Sequence, residues 1–222
     1  MTLREIIAHL KPHRTVPQVP WSAKGRWDLS FTRVMILFFG LAVFGLGDGL
    51  IIQSGLGNAP WSVLAQGISL KSGLSIGIST LIIGALVLTL WIPLRERPGF
   101  GTLSNILIIS LFIEIATNIF PRQESLLPGL AFTILGIAMV GIGSSLYITC
   151  GLGPGPRDGA MTGLHQRTGV RVGRVRLGLE VLVSLVGALL GGTLGLGTVL
   201  FALLIGQSVA ISFGILARLT SK

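Results

Sequence analysis

The chain has 222 residues, 50% hydrophobic and only 11% charged, with a formal net charge of +9 and a mean hydropathy of +0.82. Soluble domains carry about 25% charged residues, and this shortfall, together with long stretches almost free of charge, excludes an ordinary soluble domain and indicates an integral membrane protein. The basic excess does not point to nucleic acid: there is no helix-turn-helix pattern, aromatic-interleaved basic groove or zinc motif, and cations beside hydrophobic runs follow the positive-inside bias.

In chain order, residues 1–32 contain Pro12, Pro17 and Pro20 and read as a cytoplasmic tail, with a short amphipathic stretch from Leu3 to Leu10. The first hydrophobic run starts near Val34, too late and too long for the core of a signal peptide. Six runs are expected to span: Val34 to Ile52, Leu74 to Leu94, Thr102 to Phe120, Leu127 to Thr149, Val175 to Leu190 and Leu196 to Leu216. Breakers separate them at Pro93 and Pro98 around Arg95-Glu96-Arg97, at Pro121 and Pro128, and from Gly191-Gly192 to Gly197. Two further segments, Trp61 to Leu70 and Arg157 to Thr168, each follow a Gly-Leu-Gly-x-x-Pro sequence, and proline in the first turn suits a helix start. Helices of ten to twelve residues reach only about 15–18 Å, short of the roughly 30 Å of hydrocarbon.

The chain repeats itself at an offset of 96. Gly40, Gly45, Gly47, Gly55, Gly57, Gly67, Gly73, Gly77, Gly99 and Gly101 fall on Gly136, Gly141, Gly143, Gly151, Gly153, Gly163, Gly169, Gly173, Gly195 and Gly197, and Pro60 falls on Pro156. Internal duplication in a membrane protein is a pointer to transport architectures with a site between the halves. The expected fold is all-α and polytopic: a single membrane domain over 33–217, with repeat 1 at about 33–120 and repeat 2 at about 127–217, six spans and two short re-entrant helices. With three spans per repeat, the copies insert in opposite senses.

With both termini inside, this arrangement puts all the Lys and Arg except Lys71 and Arg122 on the cytoplasmic side. If both short segments crossed, giving eight parallel-repeat spans, only Arg95, Arg97 and Arg157 would be outside, so charge does not decide. Polarity favours re-entry, because the second short segment carries Arg157, Asp158, His165, Gln166 and Arg167.

The two Gly-Leu-Gly-x-x-Pro loops are the leading site candidates. Glycines permit close backbone approach, and the helix start that follows offers free N–H groups and a positive dipole end to an anion. Gly57, Asn58 and Pro60 from the first loop, and Gly153, Pro156, Arg157 and Asp158 from the second, are expected to bind a small, anionic solute, with Arg176, Glu180 and Glu114 supplying charge. Asp48 is a further acid inside a span, where a structural hydrogen-bonding role is at least as good an account. His165 has no His or Cys at ligand spacing, the single Cys150 can form neither an intramolecular disulfide nor a cysteine cage, and no catalytic triad or metalloprotease motif occurs. No enzyme activity, metal or cofactor is expected.

The run Gly151-Leu152-Gly153-Pro154-Gly155-Pro156-Arg157-Asp158-Gly159, with Arg176, Glu180, Gly191-Gly192-Thr193 and Gly195-Leu196-Gly197-Thr198, resembles the YczE-type bacterial membrane proteins, grouped with the YyaS and YitT relatives. Gly55 to Trp61 in the first half is similar too, and the likeness covers about residues 33–217. The resemblance implies a multi-span protein of the bacterial cell membrane and no particular activity. The working expectation is a small-solute transporter or transporter subunit; the alternative is a non-transporting scaffold or regulatory partner of a cytoplasmic enzyme, acting through residues 1–32 and the basic stretch 157–176. Membrane lipids are the other expected partners, and small residues at four-residue spacing permit a homodimer.

Overall fold

The computed structural model describes residues 15–220, so the amphipathic stretch at Leu3 to Leu10 lies outside the described residues. Within them every regular element is a helix: α1 (Phe31–Gln53), α2 (Pro60–Ser72), α3 (Ile76–Thr89), the single turn α4 (Trp91–Leu94), α5 (Phe100–Ile119), α6 (Leu126–Thr149), α7 (Pro156–Thr168), α8 (Val172–Leu189) and α9 (Leu196–Thr220). Five stretches are long and apolar enough to cross a bilayer, namely α1, α3 with α4 (Ile76–Leu94), α5, α6 and α9. α8 occupies the remaining expected run, but Arg174, Arg176 and Glu180 in its first half set it apart from those five.

Local chemistry accounts for the boundaries. Ser30 and Ser75 cap α1 and α3 by accepting from the backbone N–H groups of Arg33 and Ile78. The two short helices, α2 and α7, both begin with proline at the first position and end in a left-handed glycine, Gly73 (φ 75°) and Gly169 (φ 71°).

α1 and α6 form the centre of the bundle. A Cβ placed on Gly40 would lie 3.0 Å from the Gly143 carbonyl oxygen, and one on Gly47 would lie 2.8 Å from that of Gly136. The pairs meet in reverse order, so the helices run antiparallel at near backbone contact. Only small residues allow such an approach, and in lipid that packing replaces the missing hydrophobic drive. Gly40 and Gly136 are 96 apart, as are Gly47 and Gly143, so each glycine meets the counterpart of the other.

The loops behave in the same crossed way. The Gly101 N–H donates to the Leu152 carbonyl, and the Gly197 N–H donates to the Leu56 carbonyl, both at 2.8 Å. The loop after α6 therefore docks on the first turn of α5, and the loop after α1 docks on the first turn of α9. Gly57 and Gly153 take matching positive φ values of 112° and 113°, which L side chains rarely adopt. The C-terminal parts of the short helices also rest on counterpart breaks: Leu70 of α2 lies beside Gly191, and Gly163 of α7 beside Leu94 and Glu96.

One relationship is not matched. α3 packs along α5, with Gly77 against Glu114 and Gly84 against Ile106. Their counterparts α8 and α9 scarcely touch, and a Cβ on Gly173 or Gly206 would meet nothing within 4 Å. α8 buries only Val183 and Gly187, chiefly against α2.

Residues 15–30 pack onto the end of α6. The Trp21 indole N–H donates to Thr149 Oγ1 (3.3 Å), the Ser22 hydroxyl to the Thr149 carbonyl (3.0 Å), and the Ala23 N–H to the Cys150 carbonyl (3.0 Å). Arg33 holds this strap by donating to the Trp21 carbonyl at 2.7 Å and pairing with Asp28 at 3.0 Å.

Candidate functional site

A cavity of about 420 Å³ opens between the two halves of the chain. The first turns of both short helices reach it, Pro60 and Trp61 from α2 and Pro156, Arg157 and Asp158 from α7. α1 adds Asp48, α5 adds Asn105 and Ser110, α6 adds Ser144 and Tyr147, and α8 adds Arg176 and Glu180. The remaining wall is apolar, from Ile83 and Val87 of α3 to Phe201, Ile205 and Phe213 of α9. Thr15 and Val16 also line it.

Proline explains how the short helices present their ends. Lacking an N–H, it starts each helix without a further orphan donor, and the extended residues before it, Ala59 and Gly155, turn the chain into the protein interior. Gly159 then seats α7 against Trp91: a Cβ there would fall 2.0 Å from the indole ring, whose N–H donates to the Pro156 carbonyl at 2.9 Å.

Three of the cavity's five charged groups, Asp48, Arg157 and Asp158, form no ion pair within 4 Å. Asp48 is buried, and both its oxygens accept from the single Ser62 hydroxyl, at 3.0 and 2.8 Å. Asp158 is exposed to the cavity and accepts from the Tyr147 hydroxyl at 2.9 Å. The Arg157 guanidinium carbon lies 5.0 Å from the centroid of the Trp61 ring, a cation–π contact. Among the described residues the ion pairs within 4 Å are Arg33–Asp28 and Arg176–Glu180, so Arg157 has no carboxylate partner at that range. Arg176 and Glu180 neutralise each other at 2.9 Å, one turn apart on α8. The Ser144 hydroxyl, on a residue only 6% exposed, makes no hydrogen bond among the described residues.

Six of the residues expected from sequence line the cavity: Pro60, Pro156, Arg157, Asp158, Arg176 and Glu180. The other four lie elsewhere. Gly57 abuts the Gly195 backbone, and Gly153 abuts Thr102 and Gly99. Asn58 serves the breaker before α9, its side chain donating to Gln66 Oε1 at 2.8 Å and its N–H to the Thr193 carbonyl at 3.1 Å; Gln66 Oε1 also accepts from the Thr193 N–H at 2.7 Å. Glu114 joins α5 to the start of α3, accepting from the Gly77 N–H at 3.0 Å and from Asn118 at 3.2 Å.

Trp61, Ser62, Tyr147 and Ser144 were not singled out by sequence reasoning. The offset itself carried the signal: Trp61 is the counterpart of Arg157, and Ser62 that of Asp158, while Asp48 is the counterpart of Ser144. At these offset positions an acid in one half of the chain stands where the other half has a serine, so the two halves contribute unequal chemistry to the cavity.

The fold defines an all-helical membrane protein, with five stretches long and apolar enough to cross a bilayer and a cavity lined from both halves of the chain. Residues 31–213 match the model of a family of unknown function, DUF6198, and the chain belongs to that family. It is 46% identical over 209 residues to an uncharacterized protein of Haemophilus influenzae, covering 94% of this chain and 96% of that one. It is 32% identical over 188 residues to the uncharacterized membrane protein YczE of Bacillus subtilis, covering 84% and 85% of the two chains. The identity to the uncharacterized protein YyaS of the same organism is 25% over 190 residues, covering 84% and 94%. The expected YczE-type kinship is thereby established. No solved structure matches the chain.

Proposed function

We propose that this chain is a small-solute transporter of the bacterial cell membrane, built from two copies of one three-span module inserted in opposite senses, with both termini cytoplasmic. The observation that carries the reading is the cavity itself: it lies between the two copies, and counterpart residues Trp61 and Arg157 meet within it. The antiparallel α1–α6 pair, in which each glycine faces the other's counterpart, supports the inverted arrangement. A two-fold axis that exchanges two antiparallel helices lies perpendicular to them, hence in the membrane plane, as in inverted-repeat carriers. α8 serves as the sixth span, its basic N-terminal half at the cytoplasmic boundary.

Irregular backbone at the depth of residues 54–59 and 150–155 is tolerated where protein or a water-lined cavity satisfies it, and the crossed Gly101–Leu152 and Gly197–Leu56 bonds do this. The uneven packing of α3 on α5 and α8 near α9 supports a cycle in which the described state is open on the α8–α9 side. The protein binds and moves its solute without chemistry on it. The test is reconstitution into liposomes with a metabolite mixture outside: a solute that accumulates with the wild-type protein and not with Arg157→Ala supports the proposal. Equal accumulation of every solute in both would overturn it.

A further inference from the structure

The charge arrangement of the cavity specifies more than a small solute. Resting on the transporter reading, we infer that the site takes a compact zwitterion, a solute bearing one acidic and one basic group on a short apolar frame. Five charged side chains line the cavity, and two of them, Arg176 and Glu180, already neutralise each other. The other three are Arg157, Asp158 beside it in the first turn of α7, and Asp48 of α1, with no ion pair among them within 4 Å. Each has only a weak partner: an indole face for Arg157, one serine hydroxyl for Asp48 and one tyrosine hydroxyl for Asp158.

Ionisable groups at membrane depth persist where something compensates them. Protein side chains could have paired these groups directly, as Arg176 and Glu180 do, and the fold instead leaves them on the wall of one cavity without a direct ion pair. A ligand with opposite charges at its two ends satisfies both sets at once. Its acid group suits the Arg157 fork, which is free for two parallel N–H donations in the first turn of α7, and the Ser144 hydroxyl lines the same cavity. Its basic group suits the oxygens of Asp48 and Asp158. Val140, Phe201 and Ile205 receive the apolar frame. A simple anion, as the helix ends alone suggest, would satisfy Arg157 and leave two carboxylates facing an added negative charge. The volume sits near the lower end of the range of about 300–1,000 Å³ for ligand sites, which suits a solute of amino-acid size.

The experiment uses the full chain in lipid nanodiscs and measures the unfolding temperature against the neutral L-amino acids and glycine betaine. The comparators for L-leucine are 4-methylpentanoate, which lacks the amine, and isopentylamine, which lacks the carboxylate, with equivalent pairs for any other hit. At least one zwitterion is expected to raise the unfolding temperature saturably, with each single-charge analogue at least tenfold weaker. Arg157→Lys and Asp48→Asn should each weaken the zwitterion by tenfold or more. A second measurement guards against variants that fold poorly: Ser144→Cys in a Cys150→Ala background should react with a small thiol reagent, and the zwitterion should slow that reaction. If an anion binds as well as its zwitterion and only Arg157→Lys weakens it, the solute class is wrong and the cavity reading survives. If a zwitterion binds but neither variant nor the Ser144→Cys protection responds, the cavity is not the site and the transporter reading falls with it. If no member of the panel stabilises or protects the protein, the zwitterion proposal is overturned.

Discussion

The Arg157 guanidinium lies over the face of Trp61, 5.0 Å from the ring centroid, and the two residues hold the same second position of their respective short helices. One half of the chain supplies the cation and the other the surface that carries it. Such a contact is worth about 0.5–2 kcal/mol, less than a charged hydrogen-bond partner would give. Arg157→Met is therefore expected to leave the unfolding temperature in detergent unchanged or raised while abolishing solute-dependent stabilisation. A clear drop in unfolding temperature would assign the guanidinium to the scaffold instead.

The seating of α7 depends on a missing side chain. Alanine at position 159 would put a carbon 2.0 Å from the Trp91 ring and force apart the indole bond to the Pro156 carbonyl. Gly159→Ala is expected to destabilise the protein by about 1–3 kcal/mol, the usual range for overpacking. Adding Trp91→Leu should cost less than the sum of the two single changes, because the clash is removed. Strict additivity in thermal or denaturant unfolding would show that the ring does not set the position of α7.

The gap between α8 and α9 makes a prediction about motion. Gly77 and Gly84 of α3 meet Glu114 and Ile106 of α5, and the counterparts across the other pair are Gly173 with Ala210 and Glu180 with Ala202. In a Cys150→Ala background, a Gly84→Cys and Ile106→Cys pair should cross-link in membranes. A Gly173→Cys and Ala210→Cys pair should do so too, in a fraction that changes when solute is added. Cross-linking of the first pair alone, under every condition, would mean that α8 and α9 do not close on one another.

Outside the membrane, Asp28 links stability to pH. Its carboxyl is held below the ordinary aspartate value first by the Lys24 backbone N–H; desolvation opposes this, and the Arg33 side chain adds to the lowering. A lowered folded-state pKa means the contribution is present above the unfolded value and is lost as pH falls through the folded one. Asp28→Asn should therefore lower the unfolding temperature slightly at neutral pH and have no effect at strongly acidic pH. An equal deficit at both pH values would rule out the carboxylate as the cause.

The sequence carried the helix boundaries well where a local signal was strong. Pro60 and Pro156 announced the short helices, and the left-handed turns fell on Gly73 and Gly169. Arg95 was harder: it takes φ 58° where Gly191, 96 positions on, takes φ 104°, so a residue that disfavours positive φ hides a turn that glycine announces in the other half. Within the site, charge was legible but direction was not. Glu114 faces the α3–α5 contact, and Asn58 turns to Gln66 and Thr193, because nothing local to either residue says which neighbour its helix or loop will meet. Asp48 entered the cavity for the opposite reason: its serine partner is fourteen positions away on a different helix.

The most direct measurement is the sidedness of the two short helices. With Lys71→Cys and Arg167→Cys introduced separately into a Cys150→Ala protein, a membrane-impermeant maleimide applied to intact spheroplasts should label position 71 at once and position 167 only after permeabilisation. Labelling of both positions from one side of the membrane would contradict two modules inserted in opposite senses and would remove the basis for a cavity reached from alternate faces.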